Sequence, residues 1–361
     1  MNRRNAAFTL VELMIAMAIV TVVLYAAINF FIISVRQFKV QTKITETNVE
    51  GILGLELFRQ DLESLGYGLP WNNLGSYTEK TGNGSALNDG NGIAPRAVLS
   101  IDGAAFTVNS SDYLVIKSAR VTMSDAAGKW TTLTQANDKR AWTPNTENLA
   151  GSDYVIVLAV GSTDANRRSL VTSGTFYTQF TDSGTAGFVP VEPYSANIIY
   201  GIGNVQPVRP FNRAEYYIDN TDVPRHCAPN TGVLVKAVVA HDGSGSTPAL
   251  LPLLDCVADM KVVYGIKSSP TDNLVTYISN QASFYPPASS TPTAADIRSQ
   301  LVEVRVHILA QEGQRDDSYT TPSDTIFVGS QGVGRNFDVS GYRNYRWKQY
   351  SISVKPKNLA Q

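Results

Sequence analysis

Apolar residues run from Leu13 to Ile33 without a charged interruption, and only Thr21 and Asn29 among those 21 positions are plainly polar. As a helix this stretch extends about 31 Å, close to the ~30 Å hydrocarbon core of a bilayer. The pattern therefore predicts a membrane span. Beyond it the spacing becomes amphipathic: Val35, Phe38, Thr42, Thr45, Val49 and Ile52 recur every three or four residues, and Leu55, Phe58, Leu62 and Leu65 continue on a stronger stripe. No proline occurs between Phe8 and Leu69, so nothing in the chemistry forces a kink. The expectation is one stem helix over residues 8–66, transmembrane over 8–34 and amphipathic over 35–66. Gly66-Tyr67-Gly68 followed by Pro70 ends it. Gly51 and Gly54 each cost a helix about 1 kcal/mol relative to Ala. They mark either close packing against a sheet, the preferred reading, or points of local melting in a larger assembly.

After the stem the period changes. Residues Leu69–Pro95 are rich in Gly, Asn and Ser without periodicity, which predicts a long loop. From Ala97 onward short runs rich in β-branched and aromatic residues alternate with turn clusters. Expected strands are Ala97–Ile101, Asp112–Ser118, Asp153–Val160, Ser169–Thr172, Asn197–Ile202, Glu215–Ile218, Gly232–Ala240, Cys256–Lys267, Leu301–Gln311 and Arg346–Val354. In Leu301–Gln311, Val302, Val304, Val306 and Ile308 alternate with Glu303, Arg305 and His307. That reads as a half-buried antiparallel strand with His307 on the solvent side. Breaks are expected at Asn204–Pro210 and Ser268–Asp272. The fold class is thus α+β, a long N-terminal helix packed on an antiparallel β-rich domain over residues 67–361, with possible sub-lobes 67–205 and 206–361.

Composition narrows the function classes. The 361 residues carry a formal net charge of −1, which argues against a general nucleic-acid binder. Two cysteines and three histidines leave little material for metal clusters or thiol chemistry. Arg3 and Arg4 precede the apolar run, so by the positive-inside rule the N-terminus is cytoplasmic and everything after Ser34 lies outside. In an oxidising compartment Cys227 and Cys256 are expected to form a disulfide, with two buried thiols as the alternative. Zinc held by His226, Cys227 and Cys256 has the wrong ligand count and spacing.

No catalytic constellation emerges, and no enzyme or cofactor is expected. G-x-S-x-G, H-E-x-x-H and C-x-x-C are all absent from the sequence. Gly201-Ile202-Gly203 lacks a third glycine and a following helix, so it reads as a turn. Asp89 among Asn88, Gly90 and Asn91 lacks the carboxylates of a calcium loop and reads as turn chemistry. Asp219 and Asp222 flank a polar turn. Tyr342–Tyr350 interleaves bases with aromatics, as single-stranded nucleic-acid sites do, but the same pattern fits an antiparallel strand with Trp347 against a sheet, which is preferred.

One residue does not suit a plain anchor. Glu12 stands at the start of the apolar helix, where an unpaired carboxylate is costly and calls for a partner. A secretory signal would carry a shorter apolar core followed by a small-residue cleavage site; here the basic residues, the small Ala6-Ala7 pair and Phe8-Thr9-Leu10-Val11-Glu12 all precede the core. This arrangement resembles the processing site of type IV prepilins and pseudopilins. The resemblance implies a leader of residues 1–7 cut by prepilin peptidase between Ala7 and Phe8, N-methylation of Phe8, and assembly through Glu12 meeting the Phe8 ammonium of a neighbouring subunit. Ala7 departs from the Gly usual at that position. Further along, Phe58–Gly68, Arg225–Gly232, Leu253–Val263, Leu301–Gly313 and Tyr345–Leu359 resemble PilW-type minor pilins, whereas residues 69–224 resemble nothing that can be named. The resemblance implies a structural subunit in the inner membrane that helps initiate pilus assembly, passes through the periplasm to the cell surface, and can sit at the pilus tip. Its implied partners are other major and minor pilins, the inner-membrane assembly platform and a tip adhesin. A type II secretion minor pseudopilin shares the N-terminal features, and a filament-displayed binding module would suit the long Leu69–Pro95 loop.

Overall fold

The computed structural model describes residues 9–72, 74–90, 92–161, 167–243, 249–267, 273–279 and 292–359. Its first element, α1 (Leu10–Glu63), is a single helix of 54 residues, about 81 Å long at 1.5 Å per residue. Thr9 caps it at the N-terminus, and its last turn closes with the Ser64 N–H donating to the Gln60 carbonyl. Gly66, at φ 72°, then takes the chain out of the helix in a left-handed conformation open to glycine. Among its described residues, the following loop contains a one-turn 3₁₀ segment, Ser85–Leu87, as its one helical or strand element.

The strands are β1 (Val98–Ile101), β2 (Tyr113–Ser118), β3 (Trp130–Thr134), β4 (Tyr154–Val160), β5 (Arg167–Leu170), β6 (Thr178–Gln179), β7 (Ala196–Gly203), β8 (Asn212–Asp219), β9 (Gly232–Val238), β10 (Ala249–Ile266), β11 (Thr276–Ile278), β12 (Leu301–Glu312), β13 (Thr325–Ser330), β14 (Val333–Asp338) and β15 (Arg346–Val354). Two short helices, α2 (Asp182–Thr185) and α3 (Ala294–Gln300), lie between them. The large sheet runs β1-β2-β8-β9-β10-β12-β15, with β11 pairing β10. A second sheet, β3-β7-β4-β5 with β6 on β4, comes entirely from the chain between β2 and β8. The hairpin β13–β14 forms a third, two-stranded layer. All the strand pairs are antiparallel, and the molecule is α+β. The chain break expected at Asn204–Pro210 falls where the second sheet hands over to β8; the one expected at Ser268–Asp272 lies outside the described residues.

The main core forms where the second half of α1 lies on the large sheet. Leu55, Phe58, Leu62 and Leu65 are buried against Leu234, Leu254, Val257, Val306 and their neighbours. Phe58 stacks on Tyr216 with ring centroids 4.1 Å apart. Val304, Val306 and Ile308 of β12 face this core as the alternation predicts.

The opposite face of β12 corrects the sequence reading. The β13–β14 hairpin covers it, so Val328 packs on Ala258 and Leu309, and His307 is buried rather than solvent-facing. The His307 ring lies between the Ser351 and Ser330 hydroxyls at 2.8 and 2.9 Å. Burial first, then the Arg305 charge, pushes its pKa down. Trp347 packs beside Phe337 of the hairpin, and Tyr342–Tyr350 runs into β15, as preferred for that basic and aromatic stretch.

Candidate functional site

The stem divides into a half that the protein leaves bare and a half that it docks. From Leu10 to Ile33 nearly every side chain is exposed, including Leu13, Ile19 and Phe30. The segment Leu10–Thr45 is long and apolar enough to cross a membrane, and an 18-residue window within it has a mean hydropathy of 2.4. Thr21, one of its few polar residues, is satisfied locally, as an apolar medium requires. The Thr21 hydroxyl donates to the Met17 carbonyl at 2.7 Å.

At the start of this half, Thr9 and Glu12 form a capping box. The Glu12 N–H donates to the Thr9 hydroxyl at 3.3 Å, while the Thr9 N–H and hydroxyl donate to Glu12 Oε2 at 2.9 and 3.0 Å. This reciprocal pairing satisfies N–H groups that a helix start leaves without partners. The misfit acid thus has a local role as well as the one the resemblance implies. Both bonds use Oε2. Arg3, Arg4, Ala7 and Phe8 lie outside the described residues.

Docking begins near Asn48. Its side-chain amide donates to Glu312 Oε1 at 2.9 Å, and its carbonyl oxygen accepts from Lys348 Nζ at 2.7 Å and the Tyr350 hydroxyl at 3.0 Å. The next contacts need glycine. A Cβ on Gly51 would lie 2.9 Å from Leu254 Cδ1, and one on Gly54 would lie 1.8 Å from the Leu253 carbonyl oxygen. Register shifts in the β9–β10 ladder flank Leu254 at this point. The two glycines are therefore points of close helix–sheet packing, and α1 remains helical through them. Farther along, Asp61 pairs with Lys236 and accepts from the buried Tyr216 hydroxyl.

Cys227 and Cys256 are joined in a disulfide, with Cα atoms 5.0 Å apart. It links the turn before β9 to the interior of β10, where Cys256 takes φ 54° near a register shift. The expected strand start at Cys256 gives way to a longer strand that begins at Ala249. His226 lies close to both sulfurs, but sulfurs bonded to each other are not thiolate ligands.

A buried charge cluster escaped the sequence reading. Asp89, read there as turn chemistry, is fully buried and pairs with Arg96 and with Lys117 Nζ at 2.5 Å. Lys117 of β2 also meets Glu79 at 2.8 Å; Glu79 in turn accepts from Arg213 of β8 at 2.7 Å. Arg213 and Lys80 both pair with Glu215. Burial pushes the Glu79 carboxyl up, yet Lys117 and Arg213 outweigh it and hold its pKa below the usual value. The cluster ties the long loop after α1 onto β2 and β8 of the large sheet. Charged letters inside β2 and β8 were the only available signal, and a strand pattern assigns such letters to solvent.

Comparison with known families agrees with this division. Residues 2–28 match a family model described as the prokaryotic N-terminal methylation motif. Residues 215–358 match one described as type IV pilus-assembly protein W, a range running from β8 to just past β15. No curated protein and no solved structure matches the chain. The second sheet falls outside both matched ranges. With a methylation motif at the head of an exposed apolar helix, and a PilW-like domain that holds the docked half of that helix, the chain is type IV pilin-like and its residues 215–358 are similar to the PilW family.

Proposed function

We propose that this protein is a minor pilin, a structural subunit that helps initiate type IV pilus assembly and whose position suits the pilus tip. The observation that carries the reading is the two-part stem: one half bare and apolar for the bilayer and then for neighbouring stems, the other fixed to a β domain that would be displayed. Prepilin peptidase would cut between Ala7 and Phe8 and methylate Phe8. The subunit would wait in the inner membrane with its N-terminus cytoplasmic, and meet other pilins at the assembly platform before extrusion through the periplasm. Glu12 Oε2 is engaged by Thr9, and Oε1 would receive the Phe8 ammonium of a neighbour. Opposite charges brought together in low dielectric offset each other's desolvation and set the register of the stems.

The test is Glu12→Ala. This variant is expected to insert and be processed, with N-methyl-Phe8 found by mass spectrometry of the mature chain, yet to enter filaments poorly. Normal incorporation would remove the pairing from the mechanism. Deleting the gene should abolish or reduce piliation and twitching; loss of protein secretion with intact pili would instead assign the subunit to a type II secretion pseudopilus.

A further inference from the structure

The second sheet, which neither family match covers, carries an aromatic cleft on its β3 edge. After β3 the chain turns at Asn137, whose φ is 65°, and returns along the strand. Leu133 bridges Lys139, and the Thr131 hydroxyl donates to the Arg140 carbonyl at 2.5 Å. In that register Trp130 and Trp142 are direct cross-strand neighbours, the arrangement in which large side chains meet. Their ring centroids are 4.9 Å apart with planes inclined at 57°.

Trp142 is held rigidly. Its indole N–H donates to the Trp130 carbonyl at 2.6 Å, and its backbone N–H and carbonyl are both bonded by the Asn148 side chain, at 2.6 and 3.0 Å. The Arg140 guanidinium lies 4.2 Å over its ring. Trp130 nevertheless remains 38% exposed. Packing alone does not account for two tryptophans fixed in this way at the solvent edge of a polar strand.

Beside the pair opens a cleft of about 220 Å³ lined by Gly128, Lys129, Trp130, Trp142, Thr143 and Glu147. That is smaller than the roughly 300–1,000 Å³ of drug-sized sites, so it suits one ring rather than a chain. Its wall offers indole surface, a hydroxyl, one cation and one anion. A cationic ligand would meet Lys129 and an anionic ligand would meet Glu147. A neutral polyhydroxylated ring can stack its C–H face on indole, donate to the carboxylate and accept from the ammonium. We propose that this cleft binds a single neutral pyranose residue, such as the terminal sugar of a surface glycan. The site does not depend on the stem, so it stands or falls separately from the subunit role above.

The test uses the full chain in lauryldimethylamine oxide, a detergent without sugar. Methyl glucoside, methyl mannoside, methyl galactoside and N-acetylglucosamine are titrated up to tens of millimolar, with choline and glucuronate as charged comparators. Binding is followed by tryptophan fluorescence and by saturation transfer from protein to ligand. At least one neutral sugar should bind, and Trp130→Ala should weaken it at least about tenfold. Glu147→Ala, a change at an exposed position that leaves the fold intact, should weaken it severalfold, and Trp347→Phe should not alter it. The proposal is overturned by no binding of any of the four, by preference for choline or glucuronate, or by full affinity in Glu147→Ala together with Trp130→Phe.

Discussion

The two halves of α1 are built from similar residues and end up in opposite surroundings. Phe30 is 73% exposed and Phe58 is not exposed at all, although one unbroken helix carries both. What separates them is the angular spread of the apolar positions. Around Phe30 they cover the whole circumference, so no single sheet could bury them; around Phe58 they form a stripe, and one sheet suffices. The first half thus takes its burial from outside the chain and the second from within it. Glycine marks the transition, because at Gly54 the helix backbone comes too close to β10 for any side chain to intervene.

That contrast breaks most clearly at Phe58. Phe58→Ala removes a ring stacked on Tyr216 in a closed core and should cost the folded domain about 3–5 kcal/mol, measured by denaturant unfolding of the full chain in detergent. Gly54→Ala comes next. The added methyl gains about 1 kcal/mol of helix propensity, but it meets the Leu253 carbonyl, which cannot rotate away as a side chain could. A net loss of roughly 1–3 kcal/mol is expected. An unchanged midpoint for Gly54→Ala would show that the helix can lift from β10 at no cost, and the glycine would then have to be explained by assembly.

Acid should distinguish the halves too, because carboxylates, histidines and basic side chains crowd the domain and are absent from Leu13–Ile33. His241 accepts from the Val208 N–H and pairs with Asn212. Burial, then the Arg209 charge, brings its pKa down to about 3. The stability it contributes is full above the unfolded value of about 6.5 and is lost as pH falls toward 3; His307, also held low, acts in the same direction. Asp112 opposes them: burial raises its pKa to about 6 against the attraction of Lys261. Its contribution is full below the unfolded value of about 3.9 and is lost as pH rises through 6. Between about pH 6 and 4 the His241 and Asp112 slopes cancel. Asp112→Asn should expose the histidine slope, about 1.4 kcal/mol lost per pH unit on acidification across that window, while circular dichroism still reports the micelle-held half of the helix. A variant with the same pH profile as the parent would show that Asp112 is ionised throughout.

What could be read from the letters follows the same division. The stem, its end at Gly66-Tyr67-Gly68 and most strands of the large sheet were legible because each depends on local period. Five strands were not: β3, β6, β11, β13 and β14. β3 is Trp-Thr-Thr-Leu-Thr and reads as polar, β6 and β11 are very short, and the β13–β14 hairpin contains Gly329 and Gly334. Missing that hairpin is what placed His307 in solvent. The charge cluster was hidden for a different reason, since Glu79 and Arg213 stand 134 positions apart and no local pattern pairs them. At the candidate site, Glu12 was legible as a misfit, whereas its capping box with Thr9 was not noticed even though the Thr-x-x-Glu spacing was available.

The smallest expected effect lies at the bare end of the comparison. Phe30→Ala should change the unfolding of the domain by less than about 0.5 kcal/mol, as for an exposed position without contacts. Its consequence should appear only where neighbours supply the burial, as reduced incorporation into filaments at normal levels of membrane-inserted protein. Measured beside Phe58→Ala, the pair forms a cross-over: one ring matters to the monomer, the other to the assembly. If Phe30→Ala instead lowered the unfolding midpoint, the first half of α1 would have to touch its own domain, and the division of the stem into a bare and a docked half would fail.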